Sequence, residues 1–233
     1  MFESYNNNDN NNDNNNESHE HLPVVEGQYV VSIGDLPPEV REAVESVGDA
    51  LIGALERVRE GNGTVNDIPE IIKEEIAKIN DVQTEEDPYG NPIVKVGGDR
   101  VSTHIVFVTR DGKALFVKRS DITGARVDNL ADIDTIGAVS ANCSSLPLKT
   151  PDAVRKSTIS DVSAMDQVAV EEISGDSNNN RAYMYGAIVL VNADPRGVVN
   201  DDPVVLIDPN NFPDSNVKMT SKAAAALQSL RHE

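Results

Sequence analysis

Tryptophan is absent and cysteine occurs once, at Cys143. A lone cysteine excludes an internal disulfide framework and fits a reducing compartment. Aromatic residues make up only 4% of the chain, so a core has to be built from Val, Ile, Leu and Ala. No apolar run approaches the ~20 residues that span a bilayer. No basic segment followed by an apolar one marks a secretory signal. Positive charge is scarce too: 20 Lys and Arg stand against 39 Asp and Glu, a formal net charge of -19. That balance argues against a nucleic-acid backbone as the main partner, because phosphate binding needs a basic footprint. It would also repel anionic membranes. The expected location is the cytoplasm, or a particle assembled in the cytoplasm.

What is present falls into segments of different character. Residues 1–21 form an acidic, Asn-rich stretch with no Lys or Arg. It holds too little apolar surface to offset the entropy of ordering, so it is expected to be disordered when free. His19 and His21 lie in it, but no rigid element positions them as a metal pair.

Residues 22–33 read as a short strand or strand pair bent at Gly27. A helix starts near Asp35 and the two prolines after it, with Val40, Val44, Val47, Leu51, Leu55 and Val58 making one apolar stripe. Gly61 and Gly63 end it. Asp67 and Glu70 resemble a capping box for a second helix, whose stripe is Ile68, Ile71, Ile72, Ile76 and Ile79. Together residues 22–80 give a short strand plus an αα-hairpin. Neither helix is stable alone, so the hairpin packs on its own chain or on a protein partner. The Ile-rich stripe keeps self-association through residues 37–80 open. Residues 81–100 are polar and turn-rich and read as a linker.

The organising stretch is STHIVFVTRDGKALFVKRS, residues 102–120. Two apolar runs flank Asp111-Gly112, a strong hairpin signal because the turn needs positive φ where glycine bears no Cβ penalty. Near-continuous apolarity implies burial on both faces. Residues 121–150 are irregular. From Pro151 onward, Val154, Ile159, Val162, Met165, Val168, Ala169 and Ile173 recur at helical spacing, ended by Gly175 and SNNN. YMYGAIVLVNA and DPVVLIDP read as buried strands. TSKAAAALQSLRHE reads as a terminal helix capped by Thr220 or Ser221.

Three places carry a resemblance to the Nudix hydrolase domain: the hairpin with its D-G-K turn, the segment DTIGAVSAN, and AMDQVAVEEISGD at 164–176. The resemblance implies an α/β (α+β) fold over residues 101–233, a mixed β-sheet sandwiched by helices. In that family, glutamates on one helix face hold Mg²⁺ or Mn²⁺, which bridges a diphosphate and activates water. Carried over, Glu171 falls at the signature's arginine and Glu172 at its first glutamate, while Gly175 and Asp176 fall at the paired glutamates. Glu171 and Glu172 are thus the candidate catalytic residues, Glu172 and Asp176 the candidate metal ligands, and Lys118 and Arg119 the candidate contacts to substrate phosphate. The signature's arginine and one carboxylate are missing, and the interval from Gly137 to Glu171 is longer than in the family's box.

Arg110, Lys113, Lys118, Arg119 and Arg126 form either a phosphate-facing edge or a solvated rim. Cys143 has no histidine near it in sequence to make a nucleophile pair. Two functions follow. One is a non-catalytic, Nudix-like protein for binding or assembly, a component of a larger complex, a virus particle included. The alternative is a divergent Mg²⁺- or Mn²⁺-dependent hydrolase of nucleoside diphosphate derivatives.

Overall fold

The computed structural model describes residues 22, 24–79, 83–86, 92–118, 132–136, 150–173, 178–198, 204–211 and 217–231. The Asn-rich stretch, Cys143, Arg119, Arg126, Gly175 and Asp176 lie outside them. The described chain is a mixed α/β protein built on a single nine-stranded sheet.

The hairpin forms the sheet's middle. Strand β4, Asp99–Thr109, is buried along nearly its whole length, and β5 is Ala114–Lys118. The turn between them is one residue longer than a two-residue loop. Gly112 N–H donates to the Thr109 carbonyl at 2.8 Å, which places Arg110 and Asp111 at the turn's centre. Gly112 follows at φ 80°, the left-handed position that glycine occupies without strain. On its other side β4 pairs in parallel with β8, Arg181–Val191, from Arg100↔Ala182 to Thr109↔Val191. Strands buried on both faces read as continuous apolar runs, and both of these do.

Helices cover the two faces. Helix α1, Pro38–Arg59, and α2, Ile68–Ile76, pack on one. Val40, Val44, Val47, Leu51, Leu55 and Val58 from α1 share a core with Ile105, Phe107, Val168 and Tyr185 of the sheet. The α2 isoleucines Ile68, Ile71, Ile72 and Ile76 belong to the same core. The expected αα-hairpin is therefore there, but its stripes are buried within its own chain. Packing on its own chain, one of the two expectations for this hairpin, is what the fold shows. Asp67 acts one turn earlier, closing the capping box of the 3-10 turn Val65–Asp67 that leads into α2: its carboxylate accepts from both the backbone N–H and the hydroxyl of Thr64, each at 2.8 Å. The opposite face is covered by the terminal helix, Ser221–Arg231, the fifth α-helix among the described residues after two four-residue helices, and named α5 below. Its Ala223, Ala224, Ala226 and Leu227 pack on Val106, Phe116, Met165 and Ile188. Thr220 caps it, accepting from Ala223 N–H at 3.3 Å.

Two expectations are corrected. Residues 81–100 are not a linker: Gln83–Glu86 (β2) and Pro92–Val96 (β3) extend the sheet beyond β4. Strand β1, Gln28–Ser32, belongs to the same sheet through its pairing with residues Gln167–Glu171. The boundaries expected near 80 and 100 therefore do not separate independent cores.

The larger correction concerns residues 151–173. Only Asp152–Arg155 is helical; Ile159–Glu172 is a long strand, β7, between β1 and β8. Its pairing with β8 shifts register between Ile159 and Asp161 and again between Ala164 and Val168. A bulge inserts residues that the partner strand does not match, so the two-residue alternation is interrupted. Ile159 and Val162 consequently share a core despite a spacing of three. This spacing mimics a helical stripe.

Candidate functional site

Glu171 and Glu172 sit at the end of β7, and both are exposed. Successive strand residues point to opposite faces. Glu172 follows the parity of Val168 and Val170, which pack under α1, whereas Glu171 follows that of Ala169, which packs under α5. The two carboxylates therefore diverge and cannot close on one ion. Glu172 is instead directly across from Arg181, whose guanidinium lies 6.0 Å from the centre of the Tyr29 ring. An opposite-charge cross-strand pair is an ordinary way to stabilise a sheet end.

Lys118 is exposed at the end of β5, beside Ile133 of β6, Ile133–Thr135. From β7 the path to it crosses β8 and β4. Glu172 is level with Asp99 of β4, and extending the β4–β5 register sets Lys118 level with His104. At ordinary strand spacing and rise, that is a separation of roughly 20 Å. The expected cleft between Glu172 and Lys118 is thus not assembled. Of the remaining candidates, Arg119 and Asp176 lie outside the described residues. Among the described residues, no group of three or more His, Cys, Asp or Glu side chains is arranged to hold a metal ion. Glu171 and Glu172 do not make a converging donor pair for Mg²⁺ or Mn²⁺.

A different concentration of polar groups lies beneath the N-terminus of α5. Asp134 of β6 is fully buried. Its Oδ1 accepts from the Thr220 hydroxyl at 2.7 Å and from the Thr135 N–H at 2.8 Å, and stands 3.6 Å from Lys222 Nζ. The Lys222 side chain is itself only 12% exposed. The Ser221 N–H donates to Gln28 Oε1 at 2.9 Å, tying α5 to β1. Each bond answers a need: a buried carboxylate is tolerated where donors and a cation satisfy it, and the first N–H groups of a helix need acceptors.

His104 occupies the same side of β4 as Val106 and is completely buried. Neither ring nitrogen has a hydrogen-bond partner of normal geometry. Burial, and then the positive charge of Lys222, push its pKa down to about 3, with the Met184 carbonyl acting in the opposite sense. The ring is neutral at ordinary pH. It fits because residue 186 is glycine: a Cβ there would come within 2.6 Å of His104 Cε1 and would also strike the Met165 sulfur. The hydroxyls of Thr135 and Ser221 are likewise buried without partners.

Sequence reasoning did not bring these groups together. The available signal was a polar residue inside each apolar segment, His104 in THIVFV and Asp134 in ADIDTIG, but nothing in their spacing linked either to Lys222. The arrangement anchors a helix to a sheet. Two of its amide donors at α5, those of Ser221 and Ala223, are already engaged by Gln28 and Thr220.

A scan against protein-family models finds none that matches this chain, and a search of curated proteins finds no matching relative. Among the described residues, no helix is long and apolar enough to cross a membrane.

Proposed function

We propose that this chain is a non-catalytic binding or assembly protein, a component of a larger complex. The observation that supports it is the divergence of Glu171 and Glu172 on opposite faces of β7, roughly 20 Å from Lys118 on strand geometry. Metal-assisted hydrolysis needs ligands that converge on one ion and a cation that meets the same phosphate chain. The resemblance to Nudix domains then rests on the hairpin, whose apolar strands and D-G-K turn serve a sheet rather than a catalytic box. Fold and activity are separable in this way, since sites are grafted on folds. The acidic Asn-rich stretch at 1–21 suits an attachment within an assembly.

The test is turnover. Purified full-length protein is incubated with a panel of nucleoside diphosphate derivatives and Mg²⁺ or Mn²⁺. Folded but inactive protein is the expected result. Metal-dependent turnover that Glu172→Gln abolishes would overturn the reading in favour of the hydrolase.

A further inference from the structure

Two of the sheet's edges are treated differently. At one, β2 places Glu85 in a charged ladder, 3.2 Å from Lys95 and 3.1 Å from Arg100. Charges on an edge strand discourage pairing with another chain. At the other end, β1 reads QYVVS, with no charge, no proline and a register on β7 that runs unbroken from Gln28↔Glu171 to Ser32↔Gln167. Among the described residues β1 is paired with β7 alone. Tyr29, Val30 and Val31 are half-buried there; Tyr29 and Val31 flank the core under α1, and Val30 the core under α5.

The backbone direction of β1 can be read from two bonds. Glu172 N–H donates to the Gly27 carbonyl, whereas Gln28 N–H turns away from β7 to the Val25 carbonyl. In an antiparallel pair, hydrogen-bonding positions alternate. Residues 29 and 31 therefore face β7, and Val30 and Ser32 aim their N–H and C=O groups outward.

We infer that the free edge of β1 pairs antiparallel with β1 of a second copy, about a two-fold axis through Val30. The sequence is self-complementary about that point. Val30 meets Val30 in a hydrogen-bonded pair, Gln28 meets Ser32, and Tyr29 meets Val31. The strand itself carries no carboxylate, so none meets another within the seam. For a chain of net charge -19 that neutrality is the condition for two copies to approach. Such an interface is isologous and closes at two, so it yields a dimer rather than a fibre. The apolar layers on both faces of the sheet then run on across the seam.

The inference names a surface and a partner that the assembly reading does not. Failure at β1 leaves that reading to other surfaces, whereas turnover sinks it and leaves β1 untouched. Sedimentation velocity at high protein concentration should give twice the 25.1 kDa chain mass. Val30→Pro removes an outward donor without a bond to β7 and should return the mass to that of one chain, with an unchanged far-UV spectrum. Should that variant unfold, a second experiment decides. The two Val30 Cα atoms would be about 5.5 Å apart, within reach of a disulfide. Val30→Cys in a Cys143→Ser background should therefore form a covalent dimer on mild oxidation. A wild-type protein that stays monomeric, or a dimer that survives Val30→Pro and gives no cross-link at residue 30, overturns the pairing.

Discussion

Gly48 of α1 lies so close against the Tyr185 ring of β8 that a Cβ on residue 48 would overlap the ring's edge. The helix can approach the sheet at that point only because residue 48 has no side chain. In a solvent-facing helix, Gly→Ala gains up to ~1 kcal/mol from helix propensity. Here overpacking costs about 1–3 kcal/mol and outweighs it. Gly48→Ala should therefore lower the urea midpoint, and Gly48→Ala combined with Tyr185→Leu should recover most of the loss. If Gly48→Ala alone were stabilising, the close approach would be refuted.

His104 makes stability depend on acid. Its pKa is near 6.5 in the unfolded chain and about 3 when folded, so below 6.5 the unfolded state binds more protons. The contribution is complete above pH 6.5 and is lost as pH falls toward 3, at up to ~1.4 kcal/mol per pH unit. Urea titrations of wild type and His104→Leu at pH 7 and pH 5 should show the wild type losing more. Parallel losses in the two proteins would remove His104 as the cause.

The Lys222–Asp134 contact predicts a large single effect and its rescue. Removing one partner of a buried ion pair leaves an uncompensated charge and costs about 3–5 kcal/mol. Lys222→Met should destabilise on that scale because Asp134 is wholly buried. Adding Asp134→Asn should restore a good part of it, since the charge is gone and the Thr220 hydroxyl keeps an acceptor. Chemical denaturation of the two singles and the double measures the coupling, and strict additivity would contradict it.

At the β4–β5 turn, Gly112→Ala forces a side chain into φ 80°. The expected loss is about 1–2 kcal/mol, read as a lowered melting temperature. At the 3-10 turn before α2, Asp67→Ala removes the acceptor of both Thr64 bonds, at about 0.5–2 kcal/mol.

The parts of the fold that could be read from sequence are those whose periodicity is uninterrupted. The stripe from Val40 to Val58, the runs around Phe107 and Val189, and the cap at Thr220 each follow one rule over their whole length. Strand β7 obeys the rule for strands only between its bulges, and the residual spacing imitated a helix, which displaced Glu171 and Glu172 from a helix face to a strand end. Strand β2 carries no apolar pattern at all; it is held by its backbone pairing with β3, and Glu85 meets Lys95 and Arg100 across the sheet. The layer joining His104, Asp134 and Lys222 draws on three segments that only the folded chain unites.

Strand β1 leaves the ribosome long before its partner exists. Gln28 pairs with Glu171, so nearly the whole intervening chain must be made first. At ordinary synthesis rates of 5–20 residues per second, that delay is on the order of ten seconds. During it QYVVS has both edges free and no charge of its own to keep other strands away. Neighbouring nascent chains on one message carry the same segment at high local concentration, so the acidic residues just before it are the nearest source of repulsion while the sheet is incomplete.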